Sequence, residues 1–205
     1  MLSLPVIDFS VSSDEASLRP PTRERFAPRL VPVPASAGER VSIQDGRQLH
    51  LRSLRPNDIE ALQRSFLRLS PEDVRRRFLH VMSELPTPMA RRLCQIDPRI
   101  EMALALVDDT VVPGEIRGVG RIYVDEAANS AEFSLLVEKD WTRLGLGALL
   151  MQRLVDECRR RRLAEIWGYV LLENRPMLDL CKTLGFVRRR MHNEPGVAQI
   201  VLSLV

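Results

Sequence analysis

Residues 140–147, Asp-Trp-Thr-Arg-Leu-Gly-Leu-Gly, stand between an apolar stretch and a long amphipathic one. Glycines at such a junction let the backbone approach an anion closely, and the N–H groups at the start of the next helix offer phosphate a positive dipole end. Arg143 adds a charge-assisted donor in the same loop. A nucleotide-hydrolase loop needs Gly-Lys-Ser/Thr, but Gly147 is followed by Ala148 and Leu149. A dinucleotide fingerprint needs a third glycine, and Leu150 holds that position. The reading that remains is a loop for the pyrophosphate of coenzyme A. The alternative is a plain strand-to-helix turn whose glycines serve packing.

Just upstream, Glu132 is the one charged residue in 131–137, Ala-Glu-Phe-Ser-Leu-Leu-Val. A carboxylate buried in an apolar strand has a raised pKa, which suits a general base. On an exposed strand face the same glutamate is only a solvated charge, and the residues alone leave both readings open. Cys94, Cys158 and Cys181 have no paired spacing, and His50, His80 and His192 lie far apart, so neither a disulfide framework nor a metal site is expected. Cys181 has no histidine near it in sequence to activate it as a nucleophile.

The elements that must position these groups follow from periodicity and punctuation. Residues 1–40 hold Pro5, Pro20, Pro21, Pro28, Pro32 and Pro34 without a sustained period and read as an arm or linker. The body, 41–205, begins with a hairpin around Asp45-Gly46. Asn57 and Glu60 have capping-box spacing ahead of Ile59, Leu62, Phe66 and Leu69 at helical intervals. Ser70-Pro71-Glu72-Asp73 opens a second helix, and Pro86 and Pro88 precede a short third one. Strands are expected at 101–107, 116–124 and 131–137. A long helix at 145–161 follows, with Leu146, Leu150, Leu154 and Cys158 on one side. A strand at 166–171, a helix at 174–184 capped by Asn174 and closed by Gly185, and a strand at 197–204 complete the chain. This order predicts an α+β fold, a mixed sheet with helices on both faces.

Composition narrows the class. A chain of 205 residues, 45% hydrophobic and 28% charged, can bury a real core. No apolar run has bilayer length, and the N-terminus lacks a basic leader segment, so a cytoplasmic location without membrane contact is the expectation. The net charge is only +3, although arginines run together at 75–77 and 159–162. No aromatic residues interleave them, which argues for solvated helix faces over a nucleic-acid surface.

Gly145 and Gly147 resemble motif A of the GNAT superfamily of N-acetyltransferases, Gln/Arg-x-x-Gly-x-Gly/Ala, with Thr142 departing at the first position. Across 41–190 the chain is similar to bacterial Pat-type protein lysine acetyltransferases. The segments that carry this are Leu69-Ser70-Pro71-Glu72, Gln95-Ile96-Asp97, Glu101-Met102-Ala103-Leu104, Ala131-Glu132-Phe133, Asp140-Trp141 and 173–178 through Leu184-Gly185-Phe186. The resemblance implies a largely antiparallel central sheet and acetyl-CoA as cosubstrate with no metal. It implies Glu132 as catalytic base, with Glu101 as a carboxylate that could assist through water. It implies pantetheine held by backbone groups of Leu135, Leu136 and Val137, with the Leu136 N–H polarising the thioester carbonyl. The pyrophosphate would lie in Thr142, Arg143, Leu144, Gly145, Leu146, Gly147 and Ala148, with Asn174 a further contact. The acceptor would be a protein lysine side chain, or alternatively a small-molecule amine. Many members carry a general-acid tyrosine where this chain has Cys181. That departure and Thr142 keep a non-catalytic acyl-CoA-binding module as a third reading.

Overall fold

The computed structural model describes residues 38–43, 45–79, 82–189, 191 and 194–205. The first 37 residues of the proline-rich arm, His80 and His192 lie outside the described residues.

The hairpin strands are β1 (Glu39–Ser42) and β2 (Gln48–Ser53). Three helices follow: α1 (Ile59–Leu67), α2 (Pro71–Phe78) and α3 (Thr87–Cys94). Next come β3 (Glu101–Asp108), β4 (Glu115–Asp125) and β5 (Ser130–Val137). The chain ends with α4 (Leu146–Arg160), β6 (Glu165–Leu171), α5 (Arg175–Thr183), β7 (Val187–Arg189) and β8 (Val197–Ser203).

The strands form one sheet in the order β1-β2-β3-β4-β5-β6-β8-β7. Every neighbouring pair is antiparallel except β5 and β6, which run parallel. That exception follows from α4, which returns the chain across the sheet between β5 and β6 as a crossover connection. Leu146, Leu150, Leu154 and Cys158 are buried at the spacing of one helix face, so α4 packs on the sheet along the predicted side. α5 shares that face through Cys181. The opposite face is covered by α1, α2 and α3, which pack Leu62, Phe66, Val74, Ala90 and Leu93 against Ala103, Ala105 and Val119 of the sheet.

Local signals explain the helix ends. Ser70 accepts the Asp73 N–H at 3.1 Å with Pro71 at the first helical position. Gly185 closes α5 at φ 86°, and the Phe186 N–H returns to the Cys181 carbonyl at 2.9 Å. The expected Asn57–Glu60 box is not formed. Asp58 instead reaches back to the Arg55 N–H at 2.7 Å and pairs with Arg52, also at 2.7 Å, so a short 3-10 turn precedes α1. β7 is the strand the sequence reading lacks: its three residues are all exposed and carry no alternation.

Candidate active site

The site begins where two strands part. β5 pairs with β6 only at Ser130↔Glu165, Ala131↔Ile166 and Glu132↔Trp167. Beyond Glu132 the strands diverge, while β6 stays paired with β8 along its whole length. Phe133 occupies the point of divergence. Its ring lies over Gly168, where a Cβ would stand 2.9 Å from ring atom Cζ. It also meets the Phe186 ring edge-on at 5.5 Å.

The opening leaves β5 with one unpaired edge, and two hydrogen bonds show which backbone groups line it. The Glu138 N–H donates to the Arg117 carbonyl of β4 at 2.9 Å, and the Asn129 carbonyl accepts from Ala164, just ahead of β6, at 2.9 Å. Backbone groups alternate sides along a strand. The register between β4 and β5 is unbroken, so Glu132, Ser134 and Leu136 turn their N–H groups to β4, and Phe133, Leu135 and Val137 turn theirs to the opening. The Leu136 carbonyl accordingly lies beside Gly118 of β4. The donor expected from Leu136 therefore faces β4, and the donors at the open edge belong to its neighbours.

Glu132 and Asn174 line one cavity of about 80 Å³, together with Ser134, Leu135, Tyr169 and Arg77. Burial raises the Glu132 pKa above the ordinary glutamate value, and nearby Arg77 pulls it partway back. Asn174 caps α5 by accepting the Met177 N–H at 3.3 Å. Tyr169 is legible as a site residue only in the structure, because a tyrosine in an apolar strand gives no signal in the sequence. Burial first, and Glu132 second, raise its pKa above 10, which keeps the phenol protonated at neutral pH.

Leu136 lies on the same face of the sheet as Glu132, further along β5, and lines a second, mostly apolar cavity of about 30 Å³ under α1, α2 and α3. Arg77 and Arg121 line it as well.

The glycine loop closes the far end of the open edge. Gly145 caps α4 in the left-handed region at φ 80°, and the first helical hydrogen bond is Leu149 N–H to Gly145 at 2.9 Å. The N–H groups of Leu146, Gly147 and Ala148 thus have no carbonyl within the helix. A Cβ on Gly147 would lie 3.7 Å from Leu135, so the helix start adjoins the open strand. Leu146 buries its side chain and Leu144 packs partly into the same cluster. Arg143 is exposed at φ 62°, and the Thr142 hydroxyl donates to the Lys139 carbonyl at 2.7 Å. Neither cavity is lined by 142–148. The open strand edge and the free helix N-terminus suit an extended chain ending in phosphates.

Two other candidates have different places. Cys181 is buried in the core under the sheet, and burial pushes its thiol up to about 12. Glu101 is 2% exposed and is held by Arg92 and Arg121, the latter at 2.7 Å, so its carboxylate is occupied. Among the described residues no three His, Cys, Asp or Glu side chains converge as a metal site, and no helix is long and apolar enough to cross a membrane.

Comparison with known proteins agrees with this geometry. Residues 65–186 match the model of the acetyltransferase (GNAT) family. The chain is 35% identical over 152 residues to Acetyltransferase PA5475 of Pseudomonas aeruginosa, covering 73% of this chain and 80% of that protein. Its fold is similar to the GNAT domain of S. lividans PAT, with a TM-score of 0.73, 22% identity and coverage of 83% and 98%. It is also similar to spermidine N-acetyltransferase from Vibrio cholerae, solved with CoA and spermine, with a TM-score of 0.60, 18% identity and coverage of 76% and 95%. A parted pair of parallel strands, a glycine-led helix N-terminus beside the open edge and a family match spanning both make this chain an acetyl-CoA-dependent N-acetyltransferase that belongs to the GNAT family.

Proposed function

We propose that the enzyme transfers the acetyl group of acetyl-CoA to a protein lysine side chain by direct attack, with Glu132 as general base. The observation that carries this is Glu132 itself: a partly buried carboxylate with a raised pKa, at the last paired residue before the strands open. A lysine ammonium has a pKa of about 10.4, so a base must remove its proton before attack. Glu132 takes that proton, directly or through one water. The open-edge N–H groups of Leu135 and Val137 donate to the oxygen that gains charge during attack. Tyr169, already protonated in the same cavity, returns a proton to the departing sulfur in the role Cys181 is too deeply buried to fill. Leu146, Gly147 and Ala148 offer backbone donors to the pyrophosphate, with Thr142, Arg143 and Leu144 shaping the loop, and Asn174 borders the cavity beside them.

The fold likeness to a spermidine acetyltransferase supports a second reading, a small-molecule amine as acceptor. The test is CoA release from acetyl-CoA by the wild type and by Glu132→Gln, with cell extract separated into protein and metabolite fractions as acceptors. Release driven by protein and lost in the variant supports lysine acetylation. Release driven only by metabolites supports the second reading. Full activity in Glu132→Gln would remove Glu132 from the mechanism.

A further inference from the structure

The sheet face that carries Glu132 is unusually cationic for a site that receives an amine. On β4, Val119, Arg121 and Tyr123 lie opposite Leu136, Ser134 and Glu132 of β5, and α2 brings Arg77 over the same face. Arg77 lines both cavities. Arg121 is 9% exposed; one guanidinium nitrogen donates to Glu101 and another to the Leu93 carbonyl, while its buried Nε has no partner among the described residues. Arg92 and Arg121 both hold the Glu101 carboxylate, whereas Arg77 feels Glu132 only through space and makes no ion pair with it.

The partly buried cation without an ion pair among the described residues is Arg77. Arg52 and Arg117, partly buried elsewhere, each hold a carboxylate within 3.1 Å. Described arginines without an ion pair, such as Arg40, Arg91 and Arg188, are exposed. Arg77 is partly buried, yet its guanidinium lies over the Phe78 ring, 4.9 Å from the centroid, and not against a carboxylate. Burial first, then repulsion from Arg121, lowers its pKa to about 10, so it stays charged at neutral pH. A cation taken from water without a direct ion pair costs free energy that the distant Glu132 offsets only in part, and a fold that pairs its other partly buried arginines leaves this one for a partner from outside.

Building on the reading of Glu132 as base, we propose that Arg77 binds a carboxylate of the acceptor, so that preferred acceptors carry a carboxylate close to the reacting amine and polyamines are poor substrates. The Arg121 Nε is a buried, unpartnered donor on a side chain that lines the smaller cavity with Arg77. The carboxylate comes either from a free amino acid or from an acidic residue beside the target lysine in a protein. Arg77 is a specificity residue here, and it bears on the proton transfer only by holding down the Glu132 pKa, which acts alike on both members of a matched pair.

The experiment compares matched acceptors that differ only in the carboxylate: L-lysine with L-lysinamide, N-acetyl-Glu-Lys-amide with N-acetyl-Gln-Lys-amide, and spermidine beside them. A charge-assisted pair predicts that the wild type favours the acid of the better pair by roughly tenfold to a hundredfold in kcat/KM, mostly through KM. Arg77→Gln should raise KM for the acid and shrink the preference to about threefold, and Arg77→Lys should retain part of it. The free pair or the peptide pair, whichever shows the preference, identifies the source of the carboxylate. Equal use of acid and amide by the wild type, spermidine as the best acceptor, or equal loss for both members of a pair in Arg77→Gln would each overturn the proposal. If no acceptor turns over, calorimetric titration of the same pairs into the CoA-saturated protein decides it. Acid-selective binding lost in Arg77→Gln supports the proposal, and unselective or undetectable binding overturns it. Glu132→Gln separates the two readings, since it should lower turnover by about 10²-fold or more while keeping acid-selective binding.

Discussion

Gly168→Ala tests how the strands are held apart. An alanine Cβ at this position would lie 2.9 Å from Cζ of Phe133 and 3.0 Å from both Cε atoms. Carbon atoms in contact prefer about 3.5–4.0 Å, so the ring or β6 must give by roughly half an ångström or more. Phe133 cannot simply swing outward. It is 4% exposed, edge-on to Phe186, and anchored in the cluster beneath α4 and α5. Overpacking of this kind costs about 1–3 kcal/mol, and replacing a strand glycine recovers about 0.5–1 kcal/mol of backbone entropy. The net loss is about 1–2 kcal/mol, which for a domain of this size lowers Tm by roughly 2–8 °C. Thermal unfolding followed by circular dichroism measures it. Phe133→Leu should relieve the clash, so the double variant should be more stable than the sum of the two single changes predicts. Because the open edge of β5 starts at Phe133, KM for acetyl-CoA should rise in Gly168→Ala. An alanine variant with wild-type Tm and no coupling to Phe133 would refute the idea that this ring over this glycine wedges the strands apart.

Other expectations follow from charge and burial. Glu132→Gln should lower kcat/KM by about 10²- to 10⁴-fold. The pH–rate profile has a defined sign: a base must be ionised, so activity falls as pH drops through the raised Glu132 pKa. Arg77→Gln should move that limb to higher pH, because the cation that favours the carboxylate is gone. The same raised pKa means that ionising Glu132 destabilises the fold as pH climbs above its unfolded value, so Glu132→Gln should melt higher than the wild type at pH 7. Tyr169→Phe should lower kcat by about 10²-fold or more if its phenol supplies the proton to sulfur, seen as slower CoA release with unchanged acetyl-CoA binding. Glu101→Gln leaves Arg121 buried without its counter-charge and should cost about 3–5 kcal/mol in denaturant unfolding.

What could be read from the sequence alone was local. The buried face of α4 follows from Leu146, Leu150, Leu154 and Cys158, whose spacing is a property of one helix. The Ser70 cap, the Gly185 stop and the phosphate-suited start of α4 involve residues within one or two turns of each other. Glu132 could be nominated from its apolar strand and from family resemblance, and Asn174 from its cap position. The tertiary structure decided everything that depends on partners distant in the chain. The direction of the Leu136 N–H is set by the register of β5 on β4 and cannot be known from β5. Arg77 stands in a run of three arginines with the look of a solvated helix face, and only the packing of α2 on the sheet turns Arg76 and Arg77 toward the cavities, Arg76 with its ion pairs to Glu72 and Asp73 and Arg77 without one. Glu101 looks like an available carboxylate in the sequence, but Arg92 of α3 and Arg121 of β4 hold it. Helical periodicity and capping repeat within a few residues and leave their mark in order along the chain. Strand parting, side-chain pairing and charge compensation are agreements between remote segments, and they exist only once the chain has folded.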